Sequence, residues 1–391
     1  MKMKIHFKVR SIIRAFEEWP INVGDFVVNY QIEDHIITGI SIDFAIADAD
    51  FPQVVEDLNP FSRIAASITI PEVAKLKEAR AFLRRIQSFL SSVAPTTIDF
   101  NSERLEWIPE NQEEKERLKL YGFSVSSEGT MYDDARELTF DFVAALTYNS
   151  YSASQQEIAL SFVHKGNADY NDGKYISAFY NYFLSLETQF FAGYSDPKKV
   201  KIKIKANDRI AEALSDLRDA ISFQRQNYKK QFTKLNGMTN NMIVDHIVDT
   251  RGNLHHHSSR GPASWHPDEP EVFEEEAFAL KVLSGSIANT IVLSSTFSTE
   301  RSSDFFEMCK KAGAVVSLIA RGTEITYKGE ARKFESKMNI PGIKPHAALV
   351  ERLNNELRVQ IGRRKSFPKE YVISDLNGVL VASYRRSELA S

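Results

Sequence analysis

The sequence predicts an α+β, multidomain chain in which a central all-α helical bundle is flanked by smaller mixed α/β regions. Three observations carry that expectation. At 391 residues the chain exceeds what one hydrophobic core comfortably fills. Strand-like clusters of β-branched and aromatic residues gather towards its two ends. Between them, from about residue 135 to 300, apolar residues recur at three and four instead. The implied domains are 1–130, an α+β region binding a partner or ligand, 135–300, the bundle, and 310–391, a small α+β domain.

In the first region, Asp25-Phe26-Val27-Val28-Asn29-Tyr30 and the run from His35 through Ile46 read as strands. Residues Ile70 to Val93 switch to a helical period. Pro71 suits a first helical position, and Val73, Leu76, Ala79, Phe82, Leu83, Ile86 and Leu90 make one apolar face. Thr97–Phe100 and Leu105–Ile108 read as short strands. No titratable cluster of recognisable spacing stands out here.

In the middle region, Ser154-Gln155-Gln156-Glu157 has the form of a capping box opening a helix. Asn171-Asp172-Gly173 breaks that helix, and a second carries Tyr175, Ala178, Phe179, Tyr182, Phe183, Leu186 and Phe190. Asn207 to Tyr228 is a third, with Ile210, Leu214, Leu217 and Ile221 inward. The fourth starts at Thr239, and a fifth follows Asp268-Glu269-Pro270-Glu271. Short breaks between five helices make a bundle the natural arrangement.

The last 80 or so residues return to strands. Ala314–Ile319 and Thr323–Tyr327 lie around Arg321-Gly322, and Pro345 to Ile361 is helical. Tyr371–Ser374 and Val379–Ala382 flank the hairpin signal Asn377-Gly378. This is a small α+β domain, or it completes the N-terminal one.

Composition narrows the function. The formal net charge of −3 argues against a wholly basic nucleic-acid coat but leaves room for a local basic patch. The single cysteine, Cys309, excludes an intramolecular disulfide and a cysteine-rich zinc site, and fits a reducing compartment. No run reads as a bilayer span and the N-terminus lacks a signal-peptide core, so a cytoplasmic protein with no membrane partner is expected. No G-x-S-x-G, G-x-x-x-x-G-K-[ST] or G-x-G-x-x-G motif occurs.

One stretch draws chemistry together: Thr250-Arg251-Gly252-Asn253-Leu254-His255-His256-His257. A fixed cation beside groups that exchange protons near neutrality suits phosphoryl chemistry. On a straight helix Arg251 and His255 share a flank, while His256 falls with Asp245 and Asp249. Gly252 weakens a helix at that point. The structural alternative is a helix end whose histidines favour the negative pole of the dipole, with Arg251 bound to a carboxylate. A metal is not expected: adjacent histidines cannot all turn to one ion, and nothing fixes a geometry with Asp249, His246 or His266. No cofactor is implied either. Further basic residues come in Lys198 to Lys205. As an extended segment this would set Lys199, Lys201, Lys203 and Lys205 on one side, as candidate RNA phosphate contacts. Arg363-Arg364-Lys365 and Arg385-Arg386 are smaller clusters.

Arg251 to His256 fits R-x-x-x-x-H, on a late helix of a helical region, and so resembles the HEPN superfamily. Asp172 to Tyr180, leading to Leu186-Glu187, looks like the opening helix of several HEPN domains. The resemblance covers roughly residues 150–300. It implies a metal-independent endoribonuclease acting as a homodimer, of the toxin or antiviral-defence kind, leaving a 2′,3′-cyclic phosphate and a 5′-hydroxyl. Arg251 would hold the scissile phosphate, His256 would be the acid or base, and Asn253 would position a phosphate oxygen or the histidine. His255 and His257 are the other candidates for the histidine role. The amide at Asn253 rather than at Gly252 departs from the family pattern. A non-catalytic HEPN-like scaffold that binds RNA or protein is the alternative.

Overall fold

The first ten residues alternate strictly, and alternation is what a strand needs to bury one face. The computed structural model describes residues 1–47, 53–56, 66–69, 73–118, 120–124, 136–194, 196–228, 234–255 and 269–385. In it β1 (Lys2–Ser11) buries Met3, Ile5, Phe7 and Val9 and presents Lys2, Lys4, His6, Lys8 and Arg10 on the opposite face. There follow β2 (Ile13–Arg14), β3 (Ile21–Val23), β4 (Phe26–Glu33) and β5 (Ile36–Ala45). Next come the separate pair β6 (Gln53–Glu56) and β7 (Ala66–Thr69), α1 (Ala74–Val93) and the long β8 (Thr96–Ile108). The segment continues with α2 (Gln112–Arg117), β9 (Gly122–Ser124), β10 (Arg136–Glu137) and α3 (Phe140–Ser150).

Helices then dominate: α4 (Ser154–Asn171), α5 (Tyr175–Leu186) with a π-helical turn at Glu187–Phe191, α6 (Pro197–Lys205) and α7 (Asp208–Tyr228). After them come α8 (Asn240–His255), a 3-10 turn at Pro270–Phe273 and α9 (Glu274–Thr296). The chain closes with α10 (Thr299–Lys311), β11 (Val315–Thr326), β12 (Ala331–Pro341), α11 (Ala347–Arg363), β13 (Ser366–Asp375) and β14 (Leu380–Arg385).

Contacts divide the chain into two units. The first joins Met1–Ala79, Thr96–Tyr148 and Thr299–Ser391, and it is built on sheets. Among the described residues its larger sheet has eight strands, with β1 between β5 and β8, both antiparallel to it. Helix α3 lies on this sheet's buried face. Phe140 meets Trp19 at 4.5 Å between ring centres, and the Tyr30 and Thr147 hydroxyls are 2.6 Å apart. The second sheet runs β12-β11-β13-β14. Leu349, Leu353, Leu357 and Ile361, one helical turn apart along α11, pack with Leu318, Ala320 and Ile373. Strand β11 passes straight through Arg321-Gly322, where two strands were expected. A Cβ on Gly322 would stand 2.2 Å from the Glu370 carbonyl oxygen, so only glycine lets β13 approach there.

The second unit comprises Arg80–Pro95 and Asn149–Ser298. Its core holds Phe179, Tyr182, Phe183 and Leu186 of α5, Ile210, Leu214 and Leu217 of α7, and Ile243 and Ile247 of α8. Leu280, Leu283 and Ile287 of α9 complete it.

The fold class expected from the sequence is thereby corrected. The chain is mixed α/β, and it is not a molecule organised around an all-α bundle with small flanks. The reason is that strand pairing is long-range: β1 finds its partners between 31 residues away (Lys8 with Gly39) and 106 residues away (Lys2 with Ile108), so the first ten residues alone read only as alternating charge. Local expectations are corrected as well. Helix α4 has Ala153 at its N-cap with no side-chain cap bond, and the Ser154 side chain, on which the capping-box reading rests, lies outside what is described. Pro71 lies outside the described residues. Lys198 to Lys205 are helical rather than extended, within α6. Residues Pro270–Thr296 reach a mean hydropathy of 1.5 over an 18-residue window, long and apolar enough for a membrane crossing by length and composition, contrary to the sequence reading. Half of that window is buried inside the protein.

Candidate functional site

Helix α8 carries the stretch that the sequence singles out. It begins where the Thr239 hydroxyl accepts from the Met242 amide at 3.3 Å. It buries Ile243, Val244, Ile247, Val248, Thr250 and Leu254. It also continues unbroken through Gly252 to His255. The straight-helix placement therefore holds: Arg251 and His255 sit one turn apart on the same flank. His255 and Asn253 are exposed and Arg251 is half-buried. His256, His257 and His266 lie outside the described residues.

The charged side chains of α8 reach several neighbouring elements, and Lys201 lies within 3.9 Å of Asp245 as well as against Asp249. Asp249 accepts from Lys201 at 2.7 Å and Asp245 pairs with Lys205 at 2.7 Å. This is possible because α6 is a helix. Lys201 and Lys205 are one turn apart, as are Asp245 and Asp249, while Val200 and Ile204 are buried. Lys203 instead lies 5.5 Å from the Tyr194 ring centre, and Lys199 is exposed. The four lysines therefore do not share one side.

His246 Nε2 lies 3.0 Å from the Glu276 carboxylate, which Lys234 Nζ also reaches at 3.0 Å. Burial pushes the Glu276 pKa up, but the hydrogen bonds with His246 and Lys234 outweigh it and hold the carboxyl below its ordinary range. The sequence reading missed this cluster. The only signal was a histidine on α8 and a Glu274-Glu275-Glu276 run, with nothing to say which glutamate turns inward.

Arg251 stacks over the Phe183 ring, 5.5 Å from its centre, and its Nη2 stands 3.8 Å from Glu187 Oε2. The guanidinium is close enough to Tyr180 to counteract in part the upward push that burial gives that phenol's pKa. Glu187 opens the π-helical turn, and such turns often mark functional positions. Thr188, Gln189 and Phe190 of the same turn line a pocket of about 310 Å³ with Gln156, Arg209 and Ser294. The side-chain oxygens of Gln156 and Gln189 are buried there without a hydrogen-bond partner.

Other chemistries find little support. Among the described residues no three His, Cys, Asp or Glu side chains converge as they would on an ion. Cys309 is fully buried in α10, and burial pushes its thiol up to about 12, so it carries no thiolate near neutrality.

Compared with protein-family models, curated proteins and solved structures, the chain matches none. The likeness to HEPN domains rests on the motif residues named above.

Proposed function

We propose that the chain is a metal-independent endoribonuclease of HEPN type, acting on RNA through Arg251 and the histidines that end α8 and follow it. The observation that supports this reading is the half-exposed guanidinium of Arg251 one turn from His255, on a helix that leads directly into His256 and His257. In the reaction one histidine takes the proton of a ribose 2′-hydroxyl, whose oxygen attacks the adjoining phosphorus. The 5′-oxygen leaves and takes a proton from a second acid. The products are a 2′,3′-cyclic phosphate and a 5′-hydroxyl. Arg251 binds the phosphate and offsets the charge that grows on it, while Asn253 orients a phosphate oxygen. Turning Arg251 from Glu187 to a phosphate is cheap, because a partly exposed pair at 3.8 Å is worth about 0–1 kcal/mol. Action as a homodimer, in the cytoplasm, as a toxin or antiviral-defence effector belongs to the same proposal, with residues 1–130 meeting a regulatory partner.

The test incubates the full chain with structured and unstructured RNA in EDTA, beside Arg251→Ala, His255→Ala, His256→Ala and His257→Ala. The expected result is cleavage by wild type, with losses of about 10²-fold or more for Arg251→Ala and for at least one histidine variant. Absence of cleavage on every RNA, or equal cleavage by all five proteins, overturns the catalytic reading.

The carboxylate partners of Lys201, Lys205 and Arg251 favour a second reading, a non-catalytic scaffold that binds RNA or protein. It predicts salt-sensitive RNA binding without cleavage. Binding would then survive His256→Ala and weaken in Lys199→Gln and Lys203→Gln.

A further inference from the structure

The exposed face of the eight-stranded sheet carries a cation at every second position of its central strand. Lys2, Lys4, His6, Lys8 and Arg10 all stand there. Most are matched by an acid. Lys2 pairs with Glu110 at 2.8 Å, Lys4 with Asp43 at 3.5 Å, His6 with Glu106 at 3.3 Å and Arg10 with Asp99 at 3.4 Å. Lys8 is the exception: among the described residues its ammonium has no carboxylate within 4.0 Å.

Lys8 is also the residue beside which the sheet opens. A pocket of about 360 Å³ lies on this face, with Lys8, His6 and Arg104 in its lining and no aspartate or glutamate. Arg104 is opposite His6 on β8, and Glu106 holds both, its contact with Arg104 being 2.5 Å. Opposite Lys8 on β5 stands Gly39, where a Cβ would come within 2.9 Å of the Gln31 side-chain oxygen. The missing side chain at Gly39 helps leave the space that Lys8 borders. Polar groups complete the lining. The Thr38 hydroxyl oxygen is buried without a hydrogen-bond partner, and Ser41 stands opposite His6. Ser102 receives the Lys8 amide at 2.8 Å.

We propose that this pocket binds a phosphorylated small molecule of nucleotide size, with its phosphate between Lys8 and Arg104. Its hydroxyl or amide groups then meet Thr38, Ser41 and Asn29. The size sits at the low end of small-molecule sites. One unmatched ammonium in a lining without carboxylates favours an anion, and the Arg104 guanidinium in the same lining suits phosphate oxygens once it turns from Glu106. This site belongs to the sheet unit and does not depend on the reading of α8.

Isothermal titration of the full chain at low salt tests it, with adenosine 5′-monophosphate, adenosine, inorganic phosphate and a short single-stranded RNA as probes. Wild type is expected to bind the monophosphate about tenfold or more tightly than adenosine. Lys8→Gln and Arg104→Gln should each weaken that binding by a similar factor. Lys333→Gln, which removes an exposed cation of β12 on the other sheet, should bind as wild type. Lys8 is exposed, so its variant is expected to keep the fold, checked by an unchanged thermal transition. Equal binding of adenosine and its monophosphate, no binding of either, or equal effects of Lys333→Gln and Lys8→Gln overturn the proposal. So does RNA binding through Lys8 with no uptake of the monophosphate or of phosphate.

Discussion

The Glu276 carboxylate is 3% exposed, yet it faces the His246 ring and the Lys234 ammonium across three chain segments. Its hydrogen bonds hold it ionised against the effect of burial, below the ordinary glutamate value of 4.5. A carboxyl whose folded pKa is depressed lends stability above its unfolded pKa. That stability drains away as pH falls through the folded pKa. Glu276→Gln should therefore lower stability near neutrality by about 1–3 kcal/mol, the scale of leaving buried groups unpaired. The gap to wild type should close as pH drops below about 4.5. Urea midpoints of both proteins across that window are the measurement. A gap that stays constant in acid would show that Glu276 acts through packing rather than charge. At this scale residue types could be read from the sequence but partners could not. Arg251 and Glu187 were both marked out, and that Arg251 would meet a carboxylate was one open alternative. Which carboxylate it meets depends on how α5 and α8 cross.

Helices with a continuous apolar face were readable, as α7 and α11 show, since one turn of spacing is enough to define a buried side. Helix α6 was not. Alternate lysines in Lys199 to Lys205 imitate a strand and obscure the start signal, Asp196 with Pro197. In fact Asp196 caps α6, accepting from the Lys198 amide at 2.8 Å, with Pro197 in the first turn. Helix α8 poses the reverse question, because Gly252 suggested a break where none occurs. A Cβ at Gly252 would meet nothing within 4 Å. Gly252→Ala should then stabilise α8 by about 0.5–1 kcal/mol, by removing unfolded-chain freedom and favouring the helix. Calorimetry should show a higher melting temperature. RNA cleavage should persist, because the straight helix already sets His255 on the flank of Arg251. A rise in stability with lost cleavage would instead mean that the site needs a bend at Gly252, and would point to His256.

At the scale of the whole chain, the sheet unit draws on three separate stretches of sequence, and this is why it was the least visible in advance. Local pattern marks strands such as β4 and β5 but carries no information on which strand they join. Nor does it show that residues beyond 299 return to the unit begun by residue 1. Glu17 is where that return can be tested. Its side chain is 3% exposed, and it accepts from the Ile343 amide at 2.8 Å and lies 3.0 Å from His346 Nε2. His346 in turn caps α11, its Nδ1 accepting from the Leu349 amide at 3.4 Å, so the Nε2 proton is the one offered to Glu17. Glu17→Ala leaves two donors without a partner, at a cost of about 1–3 kcal/mol. If the N-terminal and C-terminal stretches open together, amide hydrogen exchange should quicken by a similar factor in β2 and β3 and at the start of α11. Faster exchange confined to α11 would mean that the C-terminal sheet opens by itself, and that Glu17 only fastens a helix end.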